Sequence, residues 1–457
     1  MSVLLLSTYD LGRQPFGLAS PAAWLREAGI EVTCLDLSRE KLSPDQYQQA
    51  DVIAWFLPMH TATRLALPVI DRVRQARPDA HLCAYGLYAP LNADLLRARG
   101  VQTILGAEFE ADLVTLAGAC GQREESESSS AAARALGVGP IPRLTFVTPD
   151  RTDLPALDRY ATLQMPDGEH RTVGYTEASR GCKHLCRHCP IVPIYNGHFR
   201  VVQPDVVLAD IRAQVAAGAR HISFGDPDFF NGPRHAIRIG EALAREWPGL
   251  SYDVTIKVEH LLRHADLLPR LAETGCLYVT SAVESVDDAV LEKLGKHHTR
   301  AEFERAVTHC REAGLLLQPT FVAFTPWITT RGYLDLLDAI ETLDLVDAVP
   351  SIQLAIRLII TNGSRLLELH EIRDLVGTFD ASALSYPWRH PDAAVDALQR
   401  EVMQLVGAHA QVSRRELFDA ARRLALDAAG ECVPDARPRA AARDRATVPF
   451  LNEPWYC

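Results

Sequence analysis

The sequence predicts an α/β protein: an N-terminal doubly wound domain, an incomplete parallel β/α barrel, and a C-terminal helical region with a flexible tail. Three observations predict it. Short apolar runs alternate with helical patterns over the first 120 residues, strand-then-helix units repeat six times from residue 173, and the pattern turns helical after about residue 365. The boundaries are 1–120 for the doubly wound domain, 121–172 for a linker and lead-in, 173–380 for the barrel, and 381–457 for the helical region and tail. A chain of 457 residues is long enough for two or three such units, each with its own core.

Composition narrows the function classes. Ten scattered cysteines and no apolar secretory leader at Met1 fit a reducing, cytoplasmic compartment where thiols bind metal or stay buried. The longest apolar runs, such as "VIAWFLP" and "LLLQPTFVAF", fall short of the roughly 20 residues that cross a bilayer. A net charge of −11 and a pI near 5.8 would repel a phosphate backbone, so a small-molecule substrate or a protein partner is expected rather than nucleic acid or membrane.

In the first domain, the strand candidates "SVLLLST", "EVTCLDL", "DVIAWFL", "HLCAYG" and "VQTILG" are separated by helices such as "PAAWLREAG" and "LALPVIDRVRQARP". Runs without polar alternation belong to a parallel sheet covered on both faces, and such sheets bind ligands at the strands' carboxyl ends. The loops there carry Asp10, Gly12 and Gly17, then Pro58, Met59 and His60, then Gly86, Tyr88 and Pro90, then Gly106, Glu108 and Glu110. No G-x-G-x-x-G follows the first strand, so the dinucleotide fingerprint is missing. The acidic, small-residue stretch "CGQREESESSSAAARALGVGP" reads as a linker, and "IPRLTFVTPDRTDLPALDRY" as an extended lead-in.

The barrel strands are expected at "VGYTEASRG", "HISFGDP", "YDVTIK", "LYVTSAVE", "LQPTFVAF" and "SIQLAIRLI", with helices such as "PDVVLADIRAQVAAG" and "RAEFERAVTHCREAG" between them. A parallel barrel places its active site at the carboxyl ends of its strands. The stretch "RGCKHLCRHC" falls there, directly after the first strand, with Cys182, Cys186 and Cys189 spaced C-x3-C-x2-C. Three chemistries suit it: a structural zinc completed by His184 or His188, inert buried thiols, or an iron–sulfur cluster. The polar neighbours Lys183, His184, Arg187 and His188 speak against inert core cysteines.

This loop at the mouth of a β/α barrel resembles the radical S-adenosylmethionine superfamily over roughly residues 173–380. The resemblance implies that Cys182, Cys186 and Cys189 hold three irons of a 4Fe–4S cluster and leave the fourth open to the amino and carboxylate groups of S-adenosylmethionine. It implies reductive cleavage of a carbon–sulfur bond, usually to methionine and a 5'-deoxyadenosyl radical, and an electron donor of the flavodoxin or ferredoxin type. The turn Gly225, Asp226, Pro227, Asp228 stands where the family has a Gly-Gly-Glu-like turn for the cofactor's amino group. Glu284 and Ser285 match the fourth-strand motif that approaches the ribose, with Lys296 following. Lys257 and Glu259 end the third strand, and Arg357 lies near the sixth.

The layout of doubly wound domain, acidic linker and barrel resembles the cobalamin-binding class of the superfamily, which makes cobalamin a further cofactor to expect. The D-x-H-x-x-G motif of many cobalamin proteins is absent, and His60 and His81 read as satisfied histidines rather than cobalt ligands. The tail "VPFLNEPWYC" resembles a group of such proteins that end in Cys-Cys-Ala-Glu-Pro or Cys-selenocysteine-Ala-Glu-Pro. Cys457 stands at the first of those positions, so a selenocysteine codon is expected next, with Cys457 as a catalytic thiol, while Cys432 reads as a plain helix-end cysteine rather than its resolving partner. The expected function is radical S-adenosylmethionine chemistry on a small molecule. Its alternatives are cobalamin-dependent methyl transfer and a non-enzymatic zinc-binding protein.

Overall fold

A computed structural model describes residues 1–122, 141–408, 412–431 and 447–452. Strands β1 (Ser2–Ser7), β2 (Glu31–Asp36), β3 (Val52–Phe56), β4 (His81–Tyr85) and β5 (Thr103–Leu105) form one all-parallel sheet in the order β2-β1-β3-β4-β5. Side chains alternate across a strand, so Val3 and Leu5 enter one core while Leu4 and Leu6 enter the other. The helix Phe16–Glu27 covers the first face and the helix His60–Ala76 the second. The order reverses between β1 and β3, which opens a crevice at the carboxyl ends there. Gly17 borders it, where a Cβ would lie 2.2 Å from the Phe56 ring and only glycine fits.

The second sheet comprises β6 (Thr162–Gln164), β7 (His170–Thr176), β10 (His221–Phe224), β11 (Ser251–Thr255), β12 (Cys276–Glu284), β13 (Leu316–Phe321) and β14 (Phe450–Leu451). Its order is β13-β12-β11-β10-β7-β6-β14, parallel from β7 to β13, with β6 and β14 added antiparallel. A separate hairpin joins β8 (Ser179–Gly181) to β9 (Phe199–Val201). Helices Ala393–Ala408 and Arg414–Ala428 send Leu398, Val402, Phe418 and Ala421 into the barrel core.

Two barrel strands differ from expectation. "VGYTEASRG" breaks into β7 and β8, because Asp226 accepts hydrogen bonds from Ala178 N (2.8 Å) and Ser179 Oγ (2.5 Å) and draws the chain out of the sheet. The sixth strand does not form: Ser351–Leu354 is a 3-10 turn, and Phe324↔Arg357 is an isolated parallel bridge. The Gln353 side chain accepts from Phe321 N at 2.9 Å, the place a sixth strand's carbonyl would take. Part of the tail is also ordered against the sheet. Phe450 and Leu451 pair with β6, and Gln318 of β13 donates to Pro449 O at 2.8 Å, so this segment reaches both edges. Residues 432–446 and 453–457, with Cys432 and Cys457, lie outside the described residues.

The two α/β units meet through Arg180, just ahead of the cysteine loop. Its guanidinium lies 3.5 Å from Glu108, 2.7 Å from Glu110 and 2.8 Å from Glu177. One cation thus faces three carboxylates in a buried junction, and burial pushes Glu108 from its ordinary 4.5 up to about 7 against the pull of Arg180. A carboxyl raised on folding contributes stability that is full below its unfolded pKa and is lost as pH climbs through the folded one. The melting temperature is therefore expected to fall between about pH 5 and about pH 8, and Glu108→Gln to flatten that fall in a thermal-unfolding pH series.

Candidate functional site

The cysteine loop, residues 182–198, is closed at its base by the β8–β9 hairpin. Gly181 starts it with φ +75°, and a Cβ there would come within 2.5 Å of His198 O. Asn231 ties the entry, accepting from Lys183 N at 3.2 Å and donating to Gly181 O at 3.3 Å. Arg187 ties the middle: its backbone N donates to Leu294 O, and its guanidinium to Glu292 O and Lys293 O, each at 2.9 Å. Ile194 and Tyr195 then enter a core of the first domain, so the loop is held between both units.

Cys182, Cys186 and Cys189 are free thiols, Cys186 buried and the other two partly exposed. Burial pushes Cys182 up to about 11 and Cys189 to about 12. Such thiols stay protonated near neutrality unless a metal charge draws off the proton. Lys296 is electrostatically coupled to Cys186 and Cys189, and Lys257 to Cys182.

Beside the loop, Glu284 ends β12 with φ +71°, a strained left-handed conformation for a residue with a Cβ. Its carboxylate lies 3.1 Å from His188 Nε2 and 3.5 Å from Lys296 Nζ. Burial alone would raise Glu284, but Lys296 and His188 outweigh it and hold the carboxyl at about 2. Lys257 Nζ, on the far side, lies 3.2 Å from His184 Nδ1 and 3.3 Å from Glu259 Oε2.

The structure thus gathers Cys182, Cys186, Cys189, Lys257, Glu259, Glu284 and Lys296 around one loop. Other expected residues are engaged elsewhere. Asp226 is committed to Ala178 and Ser179, and Ser285 Oγ accepts from Asp287 N at 3.1 Å. Arg357 pairs with Asp396 at 2.6 Å and stacks on Trp388 at 3.5 Å, among the C-terminal segments. Gly225 is needed for packing: a Cβ would lie 1.8 Å from the Tyr175 hydroxyl oxygen. Gly225→Ala is expected to cost about 1–3 kcal/mol in denaturant unfolding. Pro227 and Asp228 continue this turn, and Asp228 faces His184 and His260.

The residues the sequence did not single out are His260 and His298. His260 follows Lys257 by three positions on a short helix at the end of β11, and that strand-end placement was its only signal. His298 is buried, and burial together with Lys296 and Lys257 holds it down at about 4 against a backbone hydrogen bond at Lys296.

Residues 176–326, which contain the cysteine loop and most of these partners, match the model of the Radical SAM superfamily. Over this segment, about a third of the chain, the sequence is similar to that superfamily. The chain is 25% identical over 341 residues to the hopanoid C-3 methylase of Methylococcus capsulatus, covering 72% of this chain and 65% of that protein. It is 31% identical over 191 residues to the tRNA-2-methylthio-N(6)-dimethylallyladenosine synthase of Desulfosudis oleivorans, covering 39% and 40%. The chain therefore spans less than two thirds of the length of these curated relatives. Its fold is shared with the cobalamin-dependent S-adenosylmethionine radical enzyme OxsB, at TM-score 0.72 and 15% identity over 89% of this chain and 67% of that one. It is shared too with the radical S-adenosylmethionine methyltransferase TsrM of Kitasatospora setae, at TM-score 0.59 and 19% identity over 75% and 71%.

Radical SAM proteins use a 4Fe–4S cluster and S-adenosylmethionine. The three-thiol set fits such a cluster better than a single zinc. With zinc–sulfur bonds of about 2.3 Å, sulfurs around one zinc sit about 3.8 Å apart. Among the described residues, the ligand atoms that converge within 4.8 Å of one another belong to His184, Asp228 and His260, not to the three cysteines. Both histidines considered as a fourth zinc ligand also face other partners, His184 toward Asp228 and His188 toward Glu284.

Proposed function

We propose that the protein is a radical SAM enzyme acting on a small molecule, with Cys182, Cys186 and Cys189 holding three irons of a 4Fe–4S cluster. The observation that carries this reading is the set of free, half-shielded thiols at the barrel's carboxyl rim, flanked by the Glu284–Lys296–His188 group. When bound, the cluster supplies the electron that breaks a carbon–sulfur bond of S-adenosylmethionine. The chain's own residues bind and orient. Glu284 stays ionised across the working pH range and offers a fixed acceptor for ribose hydroxyls. Lys296 and Lys257 place positive charge beside the thiolates, which favours a reduced, more negative cluster. His298, held neutral by burial and by the two lysines, places an uncharged imidazole next to them. The barrel core beneath shuts out water.

Anaerobic reconstitution followed by incubation with S-adenosylmethionine and a one-electron reductant tests the reading. Nucleoside products in the mass spectrum are expected. A colourless protein that saturates with zinc and leaves S-adenosylmethionine intact overturns it.

A second reading, cobalamin-dependent methyl transfer, is favoured by one observation: the five-stranded sheet turns its carboxyl-end loops, with Glu108 and Glu110, toward the cysteine-loop side of the barrel. Methyl transfer also fits what the relatives' names describe. Cobalamin bound there would receive no imidazole through the Nε2 atoms of His60 or His81, which face Ala383 O (2.6 Å) and Thr103 Oγ1 (2.8 Å). Retention of cobalamin through gel filtration is the expected result, and its absence after refolding with cobalamin removes this reading.

A further inference from the structure

We propose that His184, Asp228 and His260 form a mononuclear site for a divalent transition-metal ion of the zinc or iron(II) class, beside the cysteine loop and distinct from it. One ligand atom from each lies within 4.8 Å of the others. Asp228 Oδ2 is 2.7 Å from His260 Nδ1 and 3.3 Å from His184 Nε2. Both contacts are at ion-pair distance without the alignment of an ideal hydrogen bond, and all three atoms are shielded from solvent. Asp228 and His260 are 1% and 2% exposed, so their polar atoms face a common point deep in the protein. Burying three such atoms with only poorly aligned contacts among themselves is costly, and an ion at that point would be held by all of them. With metal–ligand bonds of about 2.0–2.2 Å, adjacent ligands sit about 2.9–3.5 Å apart, close to the two separations observed.

The surroundings are those of a built metal site. Asp228 Oδ1 accepts from Phe230 N at 3.1 Å, which fixes the carboxylate so that Oδ2 points inward. Behind His184, Nδ1 faces Lys257 Nζ at 3.2 Å and Glu259 Oε2 at 3.6 Å, and Lys257 Nζ and Glu259 Oε2 are themselves paired at 3.3 Å. Two imidazoles and one carboxylate leave coordination positions open, as in catalytic zinc and non-haem iron(II) sites. The three residues come from the cysteine loop, the turn after β10 and the helix after β11. The ion therefore ties the loop to two barrel strands through a bond that does not involve sulfur.

The test separates this site from the thiols. The full-length triple variant Cys182→Ala, Cys186→Ala, Cys189→Ala is stripped with chelator and titrated with cobalt(II) and zinc(II). About one ion per chain is expected, with visible cobalt bands and no sulfur-to-cobalt charge transfer. Asp228→Asn, which keeps the acceptor for Phe230 N, and His260→Ala are each expected to weaken binding at least ~10-fold. No retained ion, or binding that neither substitution weakens, overturns the proposal, and a hydrogen-bonded His–Asp–His cluster without metal then stands. Should the triple variant fail to fold, cluster-loaded wild-type protein is given zinc and read by zinc X-ray absorption. A first shell of nitrogen and oxygen supports the site; sulfur ligation, or no zinc, overturns it. These readouts do not depend on cleavage of S-adenosylmethionine, so the proposed function and this site fail separately.

Discussion

Replacing Cys186 with alanine is expected to give a folded but colourless protein after anaerobic reconstitution, with S-adenosylmethionine cleavage reduced more than ~100-fold. Cys186 is the most buried of the three thiols, at 8% exposed. The loop around it is held by contacts that do not involve sulfur: the β8–β9 hairpin, Asn231 on its entry and Arg187 on the Glu292 to Leu294 carbonyls. Its shape should therefore survive the substitution, leaving one iron without its thiolate. Iron and sulfide analysis, visible absorption and circular dichroism together separate loss of the cluster from loss of fold. Cys310→Ala is the control, because Cys310 is fully buried in the barrel core and its loss should lower stability without bleaching the protein. A Cys186→Ala protein with undiminished iron and cleavage would refute the assignment.

Lys296→Met is expected to destabilise the protein by about 3–5 kcal/mol and to weaken S-adenosylmethionine binding, because it strands a buried carboxylate. Glu284 and Lys296 are both almost fully buried, and Lys296 is the main charge holding the Glu284 carboxyl at about 2. With methionine in its place, only His188 opposes the cost of burial, so Glu284 takes up a proton at higher pH. The double variant Glu284→Gln, Lys296→Met removes both charges and should recover much of the stability but none of the cofactor affinity. Chemical denaturation and equilibrium dialysis with S-adenosylmethionine read the two effects separately. If the double variant binds the cofactor as wild type does, Glu284 is a structural charge and nothing more.

Much of the architecture was legible because its signals are local. The first-domain strands follow short apolar runs, broken by polar residues only in β2, and β10 to β13 overlap the runs quoted from the sequence, β11, β12 and β13 each starting one residue earlier. The strand at "SIQLAIRLI" misled, since its apolar pattern is real but a single side chain, Gln353, takes the hydrogen bond that would have begun the ladder. β6 and β14 were missed because each has only two or three residues and exists only when paired with a distant partner. At the site, Lys257, Glu259, Glu284 and Lys296 could be found because each lies at or shortly after a strand's carboxyl end. Asp226 and Ser285 share that placement, yet their side chains turn to Ala178, Ser179 and Asp287 N, while Arg357 lies where the expected sixth strand does not form and pairs with Asp396.

The sequence by itself determined the order of α/β units and the three-thiol spacing, because periodicity and C-x3-C-x2-C are properties of neighbouring residues. Only the tertiary structure decided that His184 leaves the thiols to meet Asp228 and His260, and that Arg180 faces three carboxylates between the domains. Those arrangements join residues far apart in the chain, and their energies depend on burial and on distances of a few ångströms that no local pattern encodes.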